Sequence, residues 1–352
     1  IAGTDATLTL TPGAGHALTQ QAGASIIAGT LDLRGAGSSH ALTAGSNQVS
    51  YLTADTGSLS FAGEGGFAIG LSSDTDANGI TATGPVSLAA VGANATLYLN
   101  SFIRLTPGDD TTLDLSATRD LIVNQGSTIE ILGSHKADVT LTSNSLGDAD
   151  GGSVYLLQGS TLTTNNGALT VGGGQDGGFA LARPGDNELP YGIWVATSTI
   201  NTGAGDMTFR GIGENGVRFN GSSLTTTSGD ILVEGRGAAT GGTGVFIKSY
   251  VNAVDTPTTP VEFLTGSGNI HHHQGHRQPH RHRLRPGRVG RRQPLDRRAR
   301  PAQPRGPQGS VDPEHLGRPL HRLHRHRLRE TRLRRTRDRR HRRPHAHRRR
   351  RR

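Results

Sequence analysis

Three groups of residues have the types and spacing to do chemistry. Asp74-Thr75-Asp76-Ala77-Asn78-Gly79 follows the first half of a calcium loop, in which Asp74, Asp76 and Asn78 alternate oxygen donors and Gly79 permits the turn around a hard cation. Pro85 stands where that loop needs its bidentate glutamate, so a solvated Asp/Asn/Gly turn competes with calcium at these three residues. Asp206 and Asp230 each follow a glycine at matching places in successive repeats, with Arg218 between them. Stacked carboxylates beside a cation are what polysaccharide lyases and hydrolases use as acid, base and charge stabiliser. Gly-Asp is also an ordinary strand-opening turn, repeated here because the segment repeats, and no residue is assigned a catalytic role. Tyr191 and Trp194 could stack on a sugar ring if they point outward, and Trp194 alternates with Ile193 and Val195.

Other chemistries find no footing. The histidines before residue 271 are His16, His40 and His135, widely separated, and there is no cysteine. No Gly-x-Ser-x-Gly elbow, phosphate loop or dinucleotide fingerprint is present. Asp148-Ala149-Asp150-Gly151-Gly152 is a poorer cation loop than Asp74–Gly79, so the expected cofactor set is empty apart from that calcium candidate.

The elements that must position these residues are short strands. Pieces of about five residues alternate apolar and polar, as in Thr96-Leu97-Tyr98-Leu99, Thr112-Leu113-Asp114-Leu115 and Ser127-Thr128-Ile129-Glu130-Ile131, each bounded by Gly, Asn, Asp or Ser. Helical periodicity is missing. Later pieces recur in a fixed order of three: Gly192–Val195, Ser198–Thr202 and Gly205–Phe209 are followed by Gly216–Phe219, Ser222–Thr226 and Gly229–Val233, every strand displaced by the same interval. An earlier unit at 152–171 precedes an excursion over about Gly172–Pro190 that is expected to protrude. Three strands per repeat, turning at Gly, Asn and Asp, predict an all-β parallel β-helix in which Ile200 stacks on Leu224 and Met207 on Ile231. A β-sandwich would explain the short strands but not their fixed three-strand order.

The repeat Ser-x-Leu-Thr-Thr-x-x-Gly-x-Leu/Ile-x-Val, seen at 160–171 and 222–233, resembles those of filamentous-haemagglutinin-like adhesins, the exoproteins of bacterial two-partner secretion, and of autotransporter passengers. The resemblance covers about residues 50–270. It implies a right-handed solenoid, secreted to the extracellular bacterial surface by an outer-membrane partner, that binds host or bacterial surface glycans or proteins without catalysis. The family's N-terminal secretion domain with its Asn-Pro-Asn-Gly type motif has no match, and no outer-membrane barrel follows. A β-helical polysaccharide lyase or hydrolase is the alternative expectation.

Composition breaks between Ile270 and His271. Residues 1–270 carry 9 Lys+Arg against 23 Asp+Glu, a net −14; residues 271–352 carry 29 Arg against 5 Asp+Glu, a net +24, with 13 His. Seven Leu and two Val across 271–352 cannot bury enough apolar surface to fold, so a disordered Arg/His-rich C-terminal tail is expected. Taken at face value it would bind nucleic acid or another polyanion through phosphate neutralisation, though no aromatic is interleaved to stack on bases and no specific nucleic acid is expected as partner. The genetic code offers another origin. A His codon CAC followed by C reads as Thr one base on, and an Arg codon CGG followed by C reads as Gly. His280-Arg281-His282-Arg283 is thus what a Thr-Gly repeat looks like out of frame. The expectation is a fragment of a longer repeat protein, 1–270, continued by a frameshift product, 271–352.

Overall fold

A computed structural model describes residues 5–70, 78–174, 178–182, 190–237, 242–249 and 259–276. These form twenty-five strands, with no helix among the described residues. By contacts the chain divides into Ile1–Leu284 and Arg285–Arg352, the second unit lying wholly outside the described residues. Asp74 and Asp76 also lie outside them.

The strands pair in parallel, each with its counterpart in the next coil, to build three columns. The first holds residues 51–52, Phe67–Ile69, Leu97–Leu99, Leu121–Val123, Val154–Leu156, Tyr191–Ala196, Asn215–Asn220 and Thr243–Lys248. The second holds 54–56, Ile80–Ala82, Phe102–Leu105, Thr128–Ile131, Thr161–Thr163, Thr199–Gly203, Ser223–Thr226 and Glu262–Thr265. The third holds 59–64, Val86–Val91, Thr111–Ala117, Ala137–Ser143, Leu169–Gly173, Met207–Gly213, Ile231–Gly237 and Ile270–His276. Eight members per column make eight successive three-strand coils, the topology of a β-solenoid. Before them, Thr7–Leu10 and Ala17–Thr19 pair with 30–33 and 39–41. Those partners belong to the unbroken extended run Ile27–Glu64, which also supplies a strand to every column.

Period-two alternation sends aliphatic residues inward, and parallel register sets like upon like. Val217 lies against Ile193, Phe219 against Val195, Leu224 against Ile200, Ile231 against Met207 and Val233 against Phe209, all of them buried. The expected stack is present residue for residue. Enclosing a side chain such as Leu224 stabilises by about 1.5–3 kcal/mol, so the ladder is the main cohesive term between coils. Phe209 and Phe219 add an edge-to-face contact at 5.5 Å, and Phe219 a second with Phe263 at 5.1 Å.

The polar letters of the repeat close its turns. Thr164, Thr202, Thr226 and Thr265 each donate a hydroxyl hydrogen bond to the carbonyl three residues on, at 2.5–2.6 Å. Those carbonyls belong to Gly167, Gly205, Gly229 and Gly268, stacked so closely that a Cβ on Gly229 would stand 2.0 Å from the Gly205 oxygen. Only glycine fits, which explains why Thr-x-x-Gly recurs. Buried serines form a second polar column, with Ser160 and Ser198 hydroxyls 2.8 Å apart and the Ser198 amide 3.3 Å from the Ser222 hydroxyl.

Two places depart from expectation. The excursion after Gly172 does not simply protrude: Ala180–Leu181 returns as a strand paired with Gly211–Ile212, and Ala180 is buried. Gly173 bridges Gly178, and Gly152 bridges Leu181, both antiparallel. Nor does pairing stop at the composition break. Residues 271–276 continue the third column, His271 opposite Leu232 and His272 opposite Val233, so the basic segment begins inside a paired strand. Register carries on while the chemistry fails: His272 occupies the inward place held by Phe209 and Val233. Around it, Val233, Val245, Ile247, Phe263, Ile270 and Gln274 line a cavity of about 190 Å³.

Candidate functional site

Asp206 and Asp230 do lie in successive coils, as their spacing predicts. Their carboxylates are engaged in holding the coils together. Asp206 Oδ1 accepts the Asp230 amide hydrogen at 2.8 Å, and Asp230 Oδ1 accepts the Asn269 amide at 2.6 Å and its side-chain amide at 3.1 Å. Asp138 does the same for Ala168 at 2.9 Å, and Asp110 for Lys136 at 3.2 Å. Each carboxylate thus satisfies a backbone donor of the following coil where the turn interrupts ladder pairing. The Asn269 backbone hydrogen bond, followed by that from its side chain, holds the Asp230 carboxyl below its ordinary value. That is the opposite of what a general acid at neutral pH requires.

Arg218 does not join the two aspartates. It projects from the first column, where its Nε donates to Asn220 Oδ1 at 3.1 Å and its terminal nitrogen donates to the Tyr191 hydroxyl. Its guanidinium lies 4.6 Å from the Tyr191 ring centroid, 5.6 Å from Trp194 and 5.4 Å from Phe246. Trp194 makes further edge contacts with Tyr191 at 5.6 Å and Tyr155 at 6.3 Å. Trp194 is therefore outward, as its alternation with Ile193 and Val195 implies, and half-buried. A sugar would find its stacking partners already covered by a cation of the same chain.

These rings belong to a longer feature. Parallel register lines up Tyr51, Ala68, Tyr98, Ile122, Tyr155, Trp194, Arg218 and Phe246 in one outward file along the first column. Near its start, Tyr51 and Tyr98 flank an open groove of about 590 Å³. Sequence reasoning missed this pair, because the step from Tyr51 to Ala68 is much shorter than that from Ala68 to Tyr98, and neither matches the regular repeat of the later coils. An alternation of single outward aromatics between inward aliphatics, as in Leu97-Tyr98-Leu99, was the available signal.

Of the calcium triad only Asn78 is described, half-buried ahead of Ile80–Ala82. Asp148 and Asn144 form a local turn instead: the Asp148 amide meets Asn144 Oδ1 at 3.2 Å and the Asp150 amide meets Asp148 Oδ1 at 3.2 Å. Among the described residues no three His, Cys, Asp or Glu side chains are grouped to hold a metal. His40 is buried, its Nδ1 2.8 Å from the Thr56 hydroxyl and its Nε2 without a partner. Burial pushes its pKa below the ordinary value. No family model, curated protein or solved structure matches the chain.

Proposed function

We propose that this chain is a binding and spacing segment of a secreted bacterial surface adhesin, a right-handed parallel β-helix without a catalytic centre. The observation that carries the reading is the parallel register of eight coils, interrupted by one shift at Asn201–Gly203, which presents outward side chains in files at about 4.8 Å intervals. Such a surface offers repeated contacts along a line, the geometry of multivalent attachment. Convergent acid–base chemistry would need a carboxylate available near neutral pH, whereas the aligned aspartates accept backbone hydrogens of the next coil. Family resemblance adds the surface location and the export partner in the outer membrane. The basic residues beyond His276 play no part in this reading.

Beads carrying the full chain test it. They are expected to be retained on epithelial monolayers or bacterial lawns above albumin-coated beads, with retention rising steeply with coating density. Retention at the albumin level at every density would sink the proposal. Release of reducing or unsaturated ends from a polysaccharide, abolished by Asp206→Asn in a folded chain, would establish the lyase or hydrolase alternative instead.

A further inference from the structure

The outward file of the first column holds one small residue between two tyrosines. Ala68 pairs with Tyr51 on one side and Tyr98 on the other. The tyrosine backbones are therefore two inter-strand spacings apart, about 9.6 Å, with only a methyl group between them. The strand Phe67–Ile69 is three residues long, and Gly65 and Gly66 turn into it at φ 81° and 93°. A Cβ on Gly66 would stand 2.5 Å from the Thr96 carbonyl oxygen, so the turn has to stay bare. The result is the groove of about 590 Å³, within the usual range of about 300–1,000 Å³ for small-molecule sites.

Its lining defines what it can take. Tyr51 and Tyr98 wall it, Tyr98 39% exposed, while Asn94, Thr96, Asn100 and Asn124 bring amides and a hydroxyl. Asn124 Nδ2 donates to Asn100 Oδ1 at 2.5 Å, and each amide keeps further donor or acceptor capacity beyond that bond. Among the described residues no Asp, Glu, Lys, Arg or His lines the groove. An anionic polymer would find no counter-charge among them, and a metal ion no carboxylate. A peptide strand would need an open sheet edge, but Phe67–Ile69 is paired on both sides. Aromatic faces for C–H surfaces, together with neutral amides for closely spaced hydroxyls, suit an uncharged sugar ring.

We propose that the groove over Ala68 is a subsite for a neutral saccharide, gripped between Tyr51 and Tyr98 and hydrogen-bonded by Asn94, Asn100 and Asn124. The proposal deepens the binding reading given above and rests on it.

Calorimetric titration of the full chain with maltohexaose, cellohexaose, chitohexaose and mannohexaose, and with a heparin hexasaccharide as the anionic comparison, tests it. At least one neutral probe is expected to bind. Tyr51→Ala and Tyr98→Ala should each weaken that probe about tenfold, in line with the loss of one stacked ring. Ala68→Tyr should abolish binding by filling the notch, and Tyr191→Phe should leave it unchanged; circular dichroism checks that each variant is folded. Binding of heparin alone, binding of no probe, or neutral binding that survives Ala68→Tyr would overturn the subsite. Bead retention separates the two levels: retention of an unsubstituted chain that binds no probe sinks only the groove, whereas absent retention of an unsubstituted chain that binds a neutral probe sinks only the adhesin reading.

Discussion

The outward file of the first column has two ends built on one plan and finished differently. Toward the C-terminus, Tyr191, Trp194 and Phe246 gather around the Arg218 guanidinium, and the chain satisfies its own aromatic faces. Toward the N-terminus the corresponding place is Ala68, and the faces of Tyr51 and Tyr98 border open space. Inside, both ends hold the same buried apolar ladders, with Phe61 edge-to-face against Phe67 at one and Phe219 edge-to-face against Phe209 at the other. A solenoid can therefore decide coil by coil whether an outward aromatic serves stability or contact, by choosing the single residue beside it.

The largest effects should not distinguish the ends at all. Phe61→Ala and Phe219→Ala each delete a fully buried ring and should cost about 3–5 kcal/mol, read as equal falls in urea midpoint. A marked inequality would mean that the core, and not only the outer face, differs between the ends. Next in size, Arg218→Ala should lose about 1–2 kcal/mol through its three ring contacts, whereas Tyr98→Ala should change stability by less than about 0.5 kcal/mol. Equal losses from the two substitutions would erase the contrast between the two ends.

Acid should loosen the ends in sequence. His40 has its pKa lowered from 6.5 by burial, so the unfolded chain takes up the proton more readily. Its contribution is fully present above pH 6.5 and declines as pH falls below that value toward the folded pKa. Asp230 is lowered from 3.8, chiefly by the Asn269 backbone hydrogen bond, so its contribution is present above 3.8 and lost as pH falls through its folded pKa. Hydrogen-exchange protection factors, corrected for the intrinsic pH dependence of exchange, are expected to fall around 38–56 as pH drops below 6.5, and around 230 and 269 only below pH 3.8. The reverse order would show that burial of His40 is not what shifts it. Smallest of all, Asp206→Asn keeps an oxygen for the Asp230 amide and should be nearly neutral, while Asp206→Ala should cost about 1 kcal/mol.

How much of this was legible varies along the chain for a physical reason. Between 192 and 233 every strand moves by one constant interval, so stacking of Ile200 on Leu224 followed from sequence alone. Earlier coils differ in turn length, and alignment by eye loses the file joining Tyr51, Ala68 and Tyr98, although hydrogen bonding keeps it in register. Ala180–Leu181 is two residues long and pairs at the far end of a neighbouring strand, too brief to leave a periodic trace. Composition likewise overstated the break at His271, because a parallel ladder bonds through backbone groups and tolerates His272 opposite Val233. Asp206 and Asp230 were correctly placed one above the other; that each would receive an amide of the next coil depends on an orientation no spacing reveals.

The stretch of chain from Val154 to its partner Ile193 is far longer than the next, from Ile193 to Val217, yet both pairs sit in register. Registry is checked only against the level above and the level below, so a turn's length leaves no imprint on the coils beyond it. For the gene this means that insertions and deletions at turns are cheap, while a one-residue slip within a strand is ruinous because it turns every inward side chain outward. Such a chain can vary its outer loops and still keep the same interior.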